Sequence, residues 1–256
     1  MCTLYPTCFR AIIGLGGGVL SLLMLCLIGI GAGFVQRVSG FGLGIFAMVF
    51  LPHIMPTQNA AAISCLFSCV TSSYNAIRYR AHIAYRTAFP MVAAALVTIP
   101  LAVSFSKGIS GNVFHSLLGC VLILLSLYFF FFNKRIRIAP TACNGFLAGA
   151  VGGTLNGLFS TGGPPIVLFL SCATADKNVY FATIQFYFCF TNLYATCFRL
   201  LNGMITNEIL LYALIGTFGC MAGDALGKIV FDKLDADKFK RVIYLGMIIS
   251  GIMMIC

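Results

Sequence analysis

The sequence predicts an all-α, polytopic integral membrane protein, and three observations predict it. Sixty per cent of the 256 residues are hydrophobic and only 9% are charged, where an ordinary soluble domain carries about 25% charged residues. Stretches free of Asp, Glu, Lys and Arg run over 11–36, 38–77, 87–106, 108–133, 138–175 and 178–198. Each reaches the roughly 20 residues that cross a ~30 Å hydrocarbon core. The two halves of the chain also repeat one order of segments and turns. The composition excludes a water-soluble enzyme and a disordered chain. Without a polar stretch long enough for a soluble domain, residues 1–256 read as a single transmembrane domain.

Ten helical segments follow in order. The first, 11–36, is a 26-residue apolar run after Arg10. It is longer than a signal-peptide h-region and lacks an A-x-A site, so it is expected to stay as a helix. The 38–77 stretch is long enough for two segments and is broken by Gly and Pro, giving a short segment at 40–51 and a long one at 57–78. Segments 87–106 and 110–132 complete the first half. The second half divides likewise into 141–158, a short 163–174, then 178–200, 206–229 and 239–256. The two 12-residue segments rise only about 18 Å and cannot cross the core alone.

Residues 11–132 and 141–256 are expected to be two repeats. Each has a Gly-rich turn before its short segment, Ser39-Gly40-Phe41-Gly42 in one and Ser160-Thr161-Gly162-Gly163 in the other. At an offset of 119, Asn59 meets Asn178, and Ser64, Ser68, Ser72 and Asn75 meet Thr183, Tyr187, Thr191 and Tyr194. That spacing lies on one face of a helix. Arg80 meets Arg199 at the same offset.

Charge selects between two topologies, because cytoplasmic loops are enriched in Lys and Arg. If the first two segments of each repeat form a deep hairpin and the other three cross, the repeats are inverted. One face then receives twelve basic residues, in 78–86, 134–137, at 177 and in 228–241. The other receives Arg10, Lys107 and Arg199, with Arg37 at a hairpin tip. Parallel repeats split the sixteen basic residues eight to eight. The inverted arrangement is preferred, with both termini extracytoplasmic in a multi-pass cell-membrane protein. The net charge of +10 reflects this asymmetry, so nucleic acid is not an expected partner. The expected partners are the lipid bilayer and a small anion.

A short helix that starts inside the membrane turns free backbone N–H groups and a partial positive charge toward its N-terminus. Two such ends facing each other suit an anion, and Ser or Thr beside them can cap the helix or donate to a ligand. The candidate substrate-binding residues are Arg37, Ser39, Gly40, Gly42, Ser160, Thr161, Gly162 and Gly163. Close helix packing explains such glycines equally well in isolation, as for Gly29 and Gly33. Arg37 is either a snorkelling interfacial residue or the anion's cationic anchor. Ser68, Ser72, Asn75, Gln185, Tyr187, Thr191 and Asn192 are candidates to line the path, with interhelical hydrogen bonding the alternative for each Ser and Thr. No strand precedes the glycines, which speaks against a dinucleotide fold. Asp224 is the only acidic residue well inside a helix end.

No catalytic, metal or cofactor site is expected. None of the twelve cysteines forms C-x-x-C, and buried Cys packs as a small hydrophobe. His53, His82 and His115 are scattered near segment ends.

On the stretches 33–56, with Ser39-Gly40-Phe41-Gly42-Leu43-Gly44 and Pro52, and 149–165, with Gly157-Leu158-Phe159-Ser160-Thr161-Gly162-Gly163-Pro164-Pro165, the chain resembles the TauE/SafE (sulfite exporter type) family of membrane permeases. The resemblance implies movement of sulfite, sulfonates or other small, often sulfur-containing anions. The expected function is a secondary transporter working by rocking of one repeat against the other. A passive anion channel, or a transporter of a small carboxylate, is the alternative.

Overall fold

A computed structural model describes residues 5–132 and 139–230, and positions 248 and 252, with side chains over 22–127 and 139–229. Among the described residues, nine α-helices joined by short turns follow the expected order. They are α1 (Tyr5–Ser39), α2 (Leu43–Phe50), α3 (Thr57–Arg78), α4 (Tyr85–Gly108), α5 (Gly111–Phe132), α6 (Ala142–Phe159), α7 (Gly163–Ala173), α8 (Lys177–Leu201) and α9 (Asn207–Val230). The tenth expected segment, 239–256, lies outside the described residues. Segment two ends as a 3₁₀ turn at Leu51–His53, where Pro52 lacks the N–H that would continue the α-helix. Asp176 starts α8 by accepting from the N–H groups of Asn178 at 2.7 Å and Val179 at 3.1 Å.

Among the described residues, four helical stretches are long and apolar enough to cross a membrane: Leu22–Ser39, Thr57–Arg78, Tyr85–Gly108 and Asn207–Ile229. Helix α8 is just as long but carries the polar stripe on a buried face. The outer faces of α4 and α9 are apolar, with Phe89, Val97, Leu101 and Phe105 on one and Leu210, Leu214 and Phe218 on the other exposed. These are the side chains that lipid accommodates and water does not. The described chain is thus a polytopic, all-helical membrane protein.

Packing partners are exchanged between the two halves. Helix α1 lies along α9 and α4 lies along α6, while α3 packs on α8. Each short helix nests against its predecessor, α2 on α1 and α7 on α6. Close approach along the two long seams depends on missing side chains. A Cβ on Gly33 would run into the carbonyl of Cys220, and one on Gly153 would stand 2.7 Å from Ala95 Cα. These two glycines are 120 residues apart, and small residues at such crossings are what let helices associate in lipid. The same separation relates the starts of α2 and α7 and of α3 and α8; it is one residue more than the 119 read from the sequence, so Arg199 corresponds to Tyr79 and not to Arg80, and the stripe residues matched at 119 are not structural counterparts.

Candidate functional site

Helix α1 ends where Gly40 takes a φ of 85°, a left-handed conformation that costs glycine nothing. The Ser39 hydroxyl donates to Val35 O at 2.7 Å and accepts from Gly42 N at 3.0 Å, so it closes the turn. The first α-helical bond of α2 runs from Phe46 N to Gly42 O at 2.9 Å. The N–H groups of Leu43, Gly44 and Ile45 therefore precede the helical ladder, as at any helix start. The Gly40 carbonyl points across the molecule and accepts from Gln185 Nε2 of α8 at 3.0 Å.

Helix α6 ends in the same way 120 residues later, but with a side chain. Ser160 has a φ of 58°, a region that L-residues other than Gly occupy at a cost. It is fixed there by its hydroxyl, which donates to Ala61 O of α3 at 2.8 Å. Each turn is thus held by the third helix of the opposite half: Gly40 by α8, Ser160 by α3. Helix α7 then opens with Gly163-Pro164-Pro165. The two prolines remove two of its free N–H donors, so its start keeps the dipole and loses half its hydrogen bonds. The Pro pair is visible in the sequence and makes the two turns chemically unequal.

The turns touch. A Cβ on Gly44 would collide with the Ser160 carbonyl oxygen, and one on Gly163 would stand 2.9 Å from Phe41 Cβ. Between them lies a cavity lined by Gln36, Phe41, Gly44 and Ser68 from one half and Asn156, Ser160, Gly163, Phe188 and Asn192 from the other. Its free space is about 10 Å³, room for one water molecule. Buried polar atoms around it lack partners among the described residues: Asn156 Oδ1, Asn192 Nδ2 and, in the second turn, Thr161 Oγ1. Such atoms are costly unless a ligand or water takes them up.

Of the residues singled out in the sequence, Ser160, Gly163, Ser68 and Asn192 come together at the cavity. Ser39, Gly40, Gly42, Thr161 and Gly162 shape the turns on either side. Gly162 packs on the Gly152 carbonyl. The rest of the stripe is buried in other settings. Thr191 donates to Tyr187 O at 2.9 Å and Ser72 to Ser68 O, both within their own helices. Tyr187 OH stands 3.5 Å from Gly149 O. Beyond the sequence candidates, Phe188 lines the cavity, as do two polar residues, Gln36 and Asn156, each four residues before the left-handed residue of its turn. Gln36 Nε2 donates to Gln185 Oε1 at 2.9 Å, and Asn156 Nδ2 donates to Asn192 Oδ1 at 3.0 Å.

The two arginines of the interior differ. Arg37 lies off the cavity, stacked 4.9 Å from the Phe181 ring centre and 5.2 Å from that of Tyr79. Its Nη1 donates to Asn75 Oδ1 at 3.4 Å and its Nη2 to Tyr79 OH. Asn75 Nδ2 in turn donates to Asp224 Oδ1 at 3.1 Å. Arg199 does not face out at the membrane surface to which the charge count assigns it. It is buried, and Nη2 donates to the carbonyls of Asn156 at 3.3 Å and Gly157 at 2.8 Å. The C-terminal carbonyls of α6 draw it inward, since a helix end carries partial negative charge. Arg80, its expected counterpart, is exposed after α3.

Comparison with known proteins gives a family and one relative. The family model described as sulfite exporter TauE/SafE matches residues 25–254. A protein of Cupriavidus necator (strain H16), named "Probable sulfite/organosulfonate exporter TauE", is 28% identical over 163 residues. That match spans 57% of this chain and 60% of the relative's length. No solved structure matches the chain.

Proposed function

The chain belongs to the sulfite exporter TauE/SafE family, and from that premise we propose that it is a secondary transporter of small sulfur-containing oxyanions or organosulfonates, such as sulfite or sulfoacetate, and not an enzyme. The carrying observation is the meeting of the two turns around a cavity whose polar groups come from both halves. Substrate is bound there by Thr161 Oγ1, Asn192 Nδ2 and the N–H groups at the start of α2, with Ser39, Gly40, Gly42, Ser160, Gly162 and Gly163 holding the turns. Arg37, off the cavity, is held by Asn75 and Tyr79. Ser68, Ser72, Asn75, Gln185, Tyr187, Thr191 and Asn192 belong to the two helices along which the anion passes.

Space for one water is too little for an oxyanion, so the halves must separate to load it. The exchanged packing of α1 with α9 and α4 with α6 supports two symmetry-related repeats, and the charge count favours their inversion; their relative rocking opens the site to one side at a time. With Arg199 inside, the basic residues divide twelve against two, which supports termini on the extracytoplasmic side.

Uptake of labelled sulfite, sulfate and sulfoacetate into proteoliposomes tests the reading. Wild type should show saturable uptake of at least one sulfur anion, and the Thr161→Val, Gly163→Leu double variant should lose most of it. Equal flux by both proteins for every anion would refute the site. A flux that rises linearly with concentration would replace the transporter by a channel.

A further inference from the structure

We propose that Arg199, and not Arg37, supplies the positive charge that balances the transported anion between the two turns. The proposal rests on the transport reading above and assigns the counter-charge within that same site. Arg199 is 1% exposed, and its Nη1 has no partner among the described residues. Two main-chain carbonyls on Nη2 provide only the fractional charge of a helix end, which leaves a buried guanidinium uncompensated. A purely structural arginine closing the end of α6 would account for Nη2 and leave Nη1 and the net charge without a reason.

Arg199 sits behind the cavity wall, bonded to the main chain of one of its residues. Gln185, Asn192 and Arg199 are spaced by seven residues and share one face of α8. Side chains on a helix lean toward its N-terminus, so Arg199 leans toward Asn192, whose Nδ2 is also without a partner. The backbone oxygen that holds Nη2 belongs to Asn156, a residue of the cavity wall. A carboxylate, sulfite or sulfonate oxygen entering there would meet Asn192 Nδ2 and a guanidinium edge together, the charge-assisted arrangement that favours oxyanions.

Arg37 is otherwise occupied. At the 120-residue separation that relates Gly40 to Ser160, Arg37 corresponds to Gly157 and Tyr79 to Arg199. In one half Arg37 donates to Tyr79, and in the other Arg199 donates to the Gly157 carbonyl. The same place in each half thus holds a guanidinium, carried by α1 in one and by α8 in the other. Among the described residues, only the first has a carboxylate, Asp224, reached through Asn75.

The test uses the full chain in proteoliposomes with labelled sulfite as probe. Arg199→Gln should raise the half-saturating sulfite concentration about thirtyfold, as when one side of a buried charge pair is removed. Arg199→Lys should recover part of this, and Arg37→Gln should change it less than about threefold. Native protein gives a second reading that needs no variant. Once the halves part to load substrate, phenylglyoxal should modify Arg199; sulfoacetate, which unlike sulfite does not add to the reagent's aldehyde, should slow that modification where chloride does not, read by peptide mass, and leave Arg37 unaffected. Sulfoacetate-sensitive labelling of Arg37 alone, or of neither arginine, overturns the assignment. So does an Arg199→Gln protein that saturates like wild type. If wild type moves no sulfur anion at all, the transport reading itself falls, and the assignment with it.

Discussion

Gln36 of α1 and Gln185 of α8, 149 residues apart in the chain, are joined by a buried hydrogen bond of 2.9 Å. Gln185 then passes its own amide to the Gly40 carbonyl at 3.0 Å. One side chain of the second half therefore fixes both the last turn of α1 and the bend that follows it. In a low-dielectric interior such a chain of amides is worth most when every member is satisfied.

Replacing Gln185 by Leu keeps the volume near constant and leaves Gln36 and the Gly40 carbonyl without this partner. Unpaired buried groups cost about 1–3 kcal/mol each way of counting, so Gln185→Leu should lower the midpoint of thermal unfolding in detergent by several degrees. Gln36→Leu, Gln185→Leu together should be less destabilised than the sum of the two single changes. Strict additivity of the three unfolding measurements would show that the two amides do not depend on each other.

Gly44→Ala tests the contact between the turns. The added methyl meets a backbone carbonyl, that of Ser160, which cannot rotate away as a side-chain tip can. The turns must part permanently, and sulfite uptake should fall at least about tenfold, as a misplacement of about 1 Å does elsewhere. Gly108→Ala, where a Cβ meets nothing within 4 Å, should transport like wild type. Normal uptake by Gly44→Ala would mean that the turns are not in contact when the protein works.

Ser160 offers a conformational test. Its φ of 58° is strained for any residue with a Cβ, by about 1 kcal/mol. Ser160→Ala loses the bond to Ala61 O and keeps the strain. Ser160→Gly loses the same bond and relieves the strain. Glycine should therefore be the more stable of the two, by roughly 1 kcal/mol in denaturant or detergent unfolding. The opposite ranking would contradict a left-handed residue at this turn.

Much of this was legible in the sequence because bilayer length and turn chemistry constrain it directly. The third segment was expected at 57–78 and α3 runs Thr57–Arg78; Ser39-Gly40 and Ser160-Thr161 end α1 and α6 as the glycine and hydroxyl pattern implied. Hydrophobic periodicity gives the face of a helix and not the partner of each atom on it, so Thr191 and Ser72 could not be told from Asn192 and Ser68. Arg199 was assigned to a membrane face because a lone charge near a helix end reads as surface-directed, and only the carbonyls of Asn156 and Gly157, 43 and 42 residues away, reveal that it turns inward. Gln36 and Asn156 were readable in principle: two amides, each one turn before a Gly-rich or Ser-led bend, in otherwise apolar runs.

The Arg37–Asn75–Asp224 relay yields the last prediction. Asp224 is mostly buried on α9, and the charges of Arg37, Arg78 and Lys228 act on it. Asn75 spans the gap to Arg37, accepting through its Oδ1 on one side and donating through its Nδ2 on the other. Asp224→Asn removes the carboxylate and leaves Arg37 half-buried without its balancing charge, which should destabilise the fold by about 1–3 kcal/mol. Arg37→Gln leaves Asp224 in the converse position. The double change removes both charges, and because the groups are coupled through one side chain it should cost less than the two single changes combined, by at least about 0.5 kcal/mol. Asn75→Leu should behave like either single change, since it cuts the relay and leaves both charges in place. Detergent unfolding of the four variants decides the matter. If the double variant costs as much as the sum, Asp224 does not neutralise Arg37, and the α1–α9 seam is held by its glycines alone.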